Sequence, residues 1–341
     1  MDVRLSPEQR ALRDAAAQVV ARLGPQAVGQ LDDSERAAKL DAAVVESGWR
    51  ELRTPDETGA PWASAVEVAI VAEELARGCA DAAFVGPTLA AELRRIAGAP
   101  EALEPETVAF LPDLSAPAEV GDAAVAIDAA GAVAALVLQP VAGGHALARV
   151  EVNGHDAGID LTRPTVPVAT AGASPVAGQA HVLDGDDLAR WTAFGLATTA
   201  ADLVGVMQGA VTLTVDYAKQ RQQYGKAIGS FQALQHLMAD MVVHLEGARS
   251  TGLHAAWGAD ALDPADALGY AAAAKAYAAR GARVVCETSI QVHAGIGNTW
   301  ECMAHVFLRR AQLATDLFGG IGVNLERVLA HAGIGEPHGL R

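Results

Sequence analysis

Apolar and polar positions near the amino terminus follow a helical period. Residues 6–9 read Ser-Pro-Glu-Gln, which combines a capping serine, a first-turn proline and a glutamine able to close a capping box. A second start of this kind pairs Ser64 with Glu67, and Gly78 is a helix stop. After the first start, apolar side chains recur on one helical face. These are Leu12, Ala16, Val19, Val20 and Leu23. The pattern predicts a helical domain over residues 1–101.

The pattern changes between residues 102 and 185. Proline and glycine become frequent, and short apolar runs bounded by turn residues replace the helical period. The runs predict strands over 107–111, 123–127, 133–138, 147–152 and 165–169. Together they predict a small, reduced antiparallel sheet or barrel. Residues 170–180 are rich in Ala, Gly, Pro and Ser and are predicted to form a loop.

Helical periodicity returns over residues 186–341. One long run is broken only by glycines, the next carries a clear amphipathic stripe, and a third begins at an Asp-Pro pair. The predicted helices cover 203–217, 231–248, 263–293, 301–315 and 320–332. Helices of this length joined by short loops predict a four-helix bundle. The predicted fold class is therefore mainly α with a small middle β domain.

Composition and charge narrow the classes of function. The 341 residues are 51% hydrophobic, and the formal net charge is −16, so the surface repels phosphate backbones and no nucleic acid partner is expected. Three widely spaced cysteines fit reduced, cytoplasmic thiols better than a disulfide framework or a zinc site. The longest apolar run, 129–138, is shorter than the roughly 20 residues that span a bilayer, so no membrane partner is expected.

A cluster of cations and amides closes the first long helix of the bundle. Residues 219–226 read Lys-Gln-Arg-Gln-Gln-Tyr-Gly-Lys, and Phe231 and Gln232 open the next helix. Arg221 offers a forked, charged contact to a pyrophosphate, and the following helix N-terminus offers backbone N–H donors. The alternative is that Lys219 and Arg221 only complement the dipole at a helix C-terminus, and spacing alone favours this alternative.

A second segment combines a helix end with a glycine loop. Residues 291–301 read Gln-Val-His-Ala-Gly-Ile-Gly-Asn-Thr-Trp-Glu. The glycines allow a ligand to approach the backbone closely, although glycine is also used to cap helices. His293 is a candidate acid or base, but a histidine near a helix C-terminus more often packs or satisfies the dipole.

Both segments resemble the acyl-CoA dehydrogenase family. The family's Arg-x-x-Phe-Gly turn and following glutamine are matched by residues 221–225 and Gln232. Its Gln-x-x-Gly-Gly-x-Gly loop before a glutamate is matched by 291–297 and Glu301. The opening at 5–12 and the α–β–α order match as well, so the resemblance covers essentially the whole chain. The sequence of residues 293–301 is most similar to that of actinobacterial dehydrogenases that act on steroid side-chain CoA thioesters.

The resemblance implies FAD as the cofactor and α,β-desaturation of an acyl-CoA thioester as the reaction. In the family a glutamate removes the α-proton while the β-hydride goes to the flavin, and FAD lies across a subunit interface. The neighbouring subunit's arginine turn and glycine loop hold the pyrophosphate side of FAD. The positions of this chain that the resemblance assigns to FAD are Arg221, Gln223, Tyr224, Phe231, Gln232, Gln291, Val292, His293, Gly295 and Gly297.

The departures from the family concern the catalytic base and the flavin ring. Phe318 before Gly319 occupies the family's Glu-Gly base position, and an alternative base position used by some members falls at Gly195. The Thr-Glu-Pro-Gly segment with which the family covers the flavin has no match in this chain. Residues 111–117 are the most similar stretch, and they do not fit the pattern. The resemblance therefore implies no catalytic residue on this chain. It implies a heterotetramer in which a full-featured homologous subunit supplies the base and binds most of the acyl-CoA.

Three alternatives stay open at this point. The first is a self-sufficient homo-oligomeric enzyme with Glu301 as an unorthodox base. The second is a flavin-free scaffold subunit, and the third is a relative of the flavin oxidases. Glu301 also has a structural interpretation, in which its carboxylate pairs with Arg309, Arg310 or a helix start.

Overall fold

Helices make up most of the molecule, in two groups separated along the chain by a sheet. The computed structural model describes residues 4–154 and 158–334. In these ranges the α-helices are α1 Pro7–Leu23, α2 Ser34–Glu46, α3 Ala65–Arg77, α4 Val85–Ile96, α5 Gly185–Gln220, α6 Gln232–Ala261, α7 Pro264–His293, α8 Ala304–Asp316 and α9 Ile321–His331. The strands are β1 Glu106–Phe110, β2 Ala123–Ala126, β3 Ala134–Val141, β4 Gly144–Glu151, β5 Val166–Ala169, β6 Ser174–Pro175, β7 Gln222–Gln223 and β8 Lys226–Ala227. The mainly α fold class with a small β domain is confirmed.

The first helices start where the sequence predicts. The Ser6 hydroxyl accepts a hydrogen bond from the Gln9 backbone N–H at 3.1 Å, and the Gln9 side chain accepts one from the Ser6 backbone N–H at 3.0 Å. Ser64 and Glu67 form the same capping box at the start of α3, which ends at Gly78. These boxes satisfy N–H groups that a helix start otherwise leaves without partners.

The six-stranded sheet has the order β5-β2-β1-β3-β4-β6. Its five longer strands are the predicted ones, with shifted ends. The expectation of an antiparallel sheet is wrong at one place, because β1 and β3 pair in parallel. The antiparallel strand β2 lies between them in sequence, and apolar periodicity carries no information on strand direction. The short strand β6 pairs with β4 inside the stretch predicted as a loop.

The bundle is built around α5, whose middle portion is buried almost without interruption. By length and composition alone, this is the one helix of the described residues that is apolar enough to cross a membrane, and 83% of its most apolar window is buried within the fold. The search for uninterrupted apolar runs, of which 129–138 is the longest, did not reveal α5 as a long apolar helix. Scattered polar residues interrupt its sequence. Helices α6 and α7 pack on α5, and α8 and α9 complete the bundle.

A buried ionic network joins the three parts of the chain. Arg310 on α8 donates to Asp202 on α5 at 2.7 Å and to the carbonyl oxygen of Ala80 at 2.8 Å. Arg163, from the segment after the sheet's fourth strand, lies 3.2 Å from the other Asp202 oxygen and 3.0 Å from Asp160. All four charged side chains are buried. Burial alone would raise the pKa of Asp202, but the two guanidinium groups outweigh it and hold that pKa below its usual range.

Candidate functional site

The first predicted cofactor segment is a hairpin between α5 and α6. Strands β7 and β8 pair across a turn in which Tyr224 and Gly225 have φ of +53° and +76°. Two left-handed residues in succession are what a tight two-residue hairpin turn requires. The turn leaves the Tyr224 side chain 92% exposed, with its ring edge-on to Phe231 at 6.2 Å.

The hairpin presents positive charge beside an open helix start. Arg221 is exposed and forms no ion pair with any residue in the described ranges, and the Lys226 ammonium lies 4.3 Å above the Phe231 ring. Helix α6 begins at Gln232 with no side-chain cap and no acidic residue in its first turn. Its first N–H groups and its dipole are therefore available to an anion. A pyrophosphate fits this combination of a fork-shaped cation and backbone donors.

The second predicted segment, residues 291–301, includes the end of α7 at His293. The next residue, Ala294, has φ of +55°, and residues 294–298 form a 3₁₀ helix. A Cβ on exposed Gly295 would meet no atom within 4 Å, so the backbone there is open to a ligand. A Cβ on Gly297 would lie 2.9 Å from the Ile290 carbonyl oxygen and 3.0 Å from the His293 Cβ, so this glycine is required by packing.

The structure brings the two segments together. Ala218, Ile228 and Val292 are buried in one small apolar cluster that draws on α5, the hairpin and α7, with Phe231 from the start of α6 packed against it. One turn deeper, the side chains of Thr214 and Ser289 form a hydrogen bond of 2.8 Å between α5 and α7. Segments far apart in sequence therefore form one surface, called here the half-site, made of residues 221–232 and 291–297.

Two of the predicted cofactor residues have their side chains inside the protein. Val292 and His293 are buried, whereas Gln223, Gln232 and Gln291 are exposed like Arg221. The His293 Nδ1 lies 2.7 Å from the Ser289 carbonyl oxygen, which can only accept, so Nδ1 carries the proton. Burial lowers the pKa of His293, and the bond to Ser289 opposes that shift. His293 cannot offer its side chain to a ligand as an acid or base.

Phe318 and Gly195, the two positions that the resemblance assigns to the family's base, lie against each other. Phe318 is 1% exposed, and a Cβ on Gly195 would lie 2.1 Å from the phenyl Cζ. The ring also packs edge-on against Phe110 at 4.9 Å and Trp191 at 5.1 Å. An aromatic cluster therefore fills the space around Phe318 and Gly195.

Hydrogen bonds to its backbone groups hold the turn that carries Phe318 in place. Lys275 donates to the Leu317 oxygen at 2.5 Å, and Arg327 donates to the Phe318 oxygen at 2.5 Å. The Gly319 N–H donates to the Leu114 oxygen at 3.3 Å. Burial lowers the pKa of Lys275 to about 7. Leu114 belongs to residues 111–117, so this stretch is tied to the turn that carries Phe318.

An open cleft of about 460 Å³ remains beside this turn. Its lining includes Leu114, Leu313 and Asp316, and burial raises the pKa of the Asp316 carboxyl. Among the residues that the structure describes, no arginine or lysine lines this cleft. Unlike the half-site, its described lining offers no cation to pair with a pyrophosphate.

Glu301 does not form the ion pair expected from the sequence. Arg310 is engaged by Asp202, while Arg309 lies 5.9 Å above the Trp300 ring and donates to the Ile159 oxygen at 3.4 Å. Glu301 itself is exposed, and no ion pair of it occurs within residues 4–154 and 158–334. The pairing was wrong because α8 turns its second arginine inward, onto an aspartate of α5 that is distant in sequence.

The described residues hold no cluster of histidine, cysteine or acidic side chains suited to a metal ion. The three cysteines are free and buried.

Comparison with known proteins gives matches in both helical parts of the chain. Residues 6–101 match the model of the acyl-CoA dehydrogenase N-terminal domain, and residues 192–333 match that of the C-terminal domain. The chain is 32% identical to the acyl-CoA dehydrogenase IpdE2 of Mycobacterium tuberculosis, over 91% of this chain and 93% of the relative.

Two solved structures share the fold across nearly their whole length. The steroid ACAD Tcur3481-Tcur3483 superposes with a TM-score of 0.80 at 20% identity, covering 96% of this chain and 98% of that one. The ChsE4-ChsE5 complex from Mycobacterium tuberculosis gives 0.77 at 20% identity, covering 99% and 100%. The chain belongs to the acyl-CoA dehydrogenase family, whose cofactor is FAD.

Proposed function

We propose that this chain is a subunit of a heteromeric, FAD-dependent acyl-CoA dehydrogenase and that it completes the FAD site of a partner subunit. The observation that carries the proposal is the contrast between two places in one fold. The half-site is exposed and cationic, whereas the base position is filled by the buried Phe318 ring against Gly195. The homologous partner would supply the glutamate, the contacts to the flavin ring and most of the acyl-CoA site.

The residues of the half-site have distinct tasks in this proposal. Arg221 and the N-terminus of α6 hold the pyrophosphate, the exposed Tyr224 ring packs on the adenosine side, and the open backbone at Gly295 lets FAD approach closely. When bound, FAD supplies the two-electron acceptor for α,β-desaturation. This chain contributes binding and orientation, while proton removal belongs to the partner.

The substrate class is proposed from the relatives. The solved structures with this fold include a steroid ACAD and a complex of two proteins. They support an acyl-CoA thioester as substrate, with a steroid side-chain CoA in sterol catabolism as the favoured member of that class. Their two-protein names support a heteromeric assembly, and we propose for this chain a heterotetramer with two copies of each subunit.

Replacing Arg221 by alanine is expected to weaken FAD binding by the complex at least tenfold. A charge-assisted hydrogen bond contributes about 1.5–3 kcal/mol, and 1.4 kcal/mol corresponds to tenfold in affinity. The measurement is the FAD dissociation constant, taken from flavin fluorescence, of the complex with a base-carrying acyl-CoA dehydrogenase subunit.

Arg283→Ala is the matched control for Arg221→Ala. Arg283 is also an exposed arginine, and its ion pair with Glu287 at 2.8 Å lies on the outside of α7. We expect its removal to leave FAD affinity unchanged. An unchanged dissociation constant in a folded Arg221→Ala complex would return Arg221 to the helix-end role and count against the half-site.

Replacing Glu301 by glutamine is expected to leave turnover of the complex within a few-fold of the parent. The reason is that a base in this reaction needs a dry pocket that raises its pKa, whereas the Glu301 side chain is exposed. Steady-state desaturation with an artificial electron acceptor gives the answer. A loss of roughly a thousandfold with FAD still bound would show that this chain carries the base after all.

A further inference from the structure

We infer that His293 is a positioning residue that fixes the spacing between the two segments of the half-site. The inference rests on the proposed function, because it concerns how this chain presents Arg221 and the glycine loop to FAD. The side chain of His293 is closed to a ligand, since the residue is only 3% exposed. The inference rests on the position of this side chain, which lies between the end of α5 and the end of α7.

On one side His293 contacts the end of α5. Its imidazole stacks on the Tyr217 ring with centroids 4.4 Å apart and planes inclined by 27°. The Tyr217 carbonyl oxygen accepts the last backbone hydrogen bond of α5, from Arg221 at 2.8 Å. The place of Tyr217 therefore determines where the chain leaves the helix and where Arg221 begins the hairpin.

On the other side His293 contacts the glycine loop. It is the last residue of α7, and the loop folds back so closely that a Cβ on Gly297 would lie 3.0 Å from the His293 Cβ. The bond from Nδ1 to the Ser289 oxygen at 2.7 Å fixes the plane of the imidazole. The ring thus has one orientation, in which it meets Tyr217 of α5 face to face and ties the end of α5 to the end of α7, from which the glycine loop starts.

These contacts explain why a flat ring is needed at this position. A phenyl ring keeps the stack on Tyr217, although it loses the bond to Ser289. An alanine keeps the Cβ that faces Gly297 but loses both the stack and the bond, so the end of α5 is no longer tied to the end of α7 and the distance between Arg221 and Gly295 is no longer fixed. Groups that are not held in place before binding hold a pyrophosphate less tightly.

The test compares His293→Ala with His293→Phe in the complex with a base-carrying subunit. We expect His293→Ala to raise the FAD dissociation constant by roughly tenfold, from the loss of the stack and the hydrogen bond together. We expect His293→Phe to stay within about threefold of the parent, because the ring is restored. Val285→Ala on the same helix is the control, since Val285 is fully buried but lies in the bundle core.

Several results would overturn the inference. They are equal losses of FAD affinity in the alanine and phenylalanine variants, an equal loss in Val285→Ala, and an unchanged affinity in His293→Ala while Arg221→Ala weakens FAD. The last result leaves the half-site itself in place. If Arg221→Ala also has no effect, the proposed function fails and this inference fails with it.

Discussion

Replacing Phe318 by glutamate is expected to lower the free energy of unfolding by about 3–5 kcal/mol or more and to create no second active site. The substitution removes a phenyl ring packed between Phe110, Trp191 and Gly195 and puts a carboxyl group among them. No turnover is expected, because a base without a positioned electron acceptor completes no reaction. Chemical denaturation of the purified chain measures the first effect, and desaturation by the complex measures the second.

The matched control for this change is Phe318→Leu. Leucine keeps an apolar side chain at the turn and introduces no group that needs hydrogen bonds, so its cost should be clearly smaller. Gain of flavin-dependent turnover on the side of this chain, in the glutamate variant alone, would contradict the closed site. It would mean that the missing carboxylate is the sole defect of that site.

Replacing Asp202 by asparagine is expected to destabilise the fold by about 3–5 kcal/mol. The change keeps the size of the side chain but removes the carboxylate that Arg163 and Arg310 share, and of the ion pairs within the described residues it leaves these buried arginines the one between Arg163 and Asp160. Removing one partner of a buried ion pair costs far more than the pair itself contributes. Denaturant unfolding monitored by circular dichroism gives the difference in free energy.

The control for Asp202→Asn is Glu35→Gln. Glu35 pairs with Lys39 at 2.6 Å on the exposed face of α2, and such surface pairs contribute about 0–1 kcal/mol. A cost for Asp202→Asn no larger than that of this control would mean that the network does not tie the three parts of the chain together.

The cofactor segments could be predicted from the sequence because each is local. Helix ends, a tight turn and a glycine loop all have signatures within a few residues, and Arg221, Tyr224 and Gly295 lie where these signatures put them. The capping boxes at Ser6 and Ser64 were predictable for the same reason. The joining of the two segments into one surface was not predictable, because it depends on side-by-side packing of α5 and α7.

The features that sequence reasoning missed depend on contacts between distant residues. The ionic network was missed, although Asp202 is the one charged residue between Arg190 and Asp216 in a long apolar stretch. A single carboxylate in such a stretch indicates a buried partner, and that signal could have been used. The ion pair between Glu301 and Arg310 was wrongly expected because Arg310 is near Glu301 in sequence, whereas it pairs with Asp202 across the bundle.

The central claim is that this chain holds half of an FAD site and that its partner holds the catalytic base. The most direct measurement is the amount of FAD per chain together with desaturase turnover, for the chain purified alone and for the chain co-expressed with a base-carrying homologue. We expect the chain alone to be flavin-poor and inactive, and the complex to be yellow and active with about one FAD per pair of subunits. One FAD per chain with turnover from this chain alone would contradict the account.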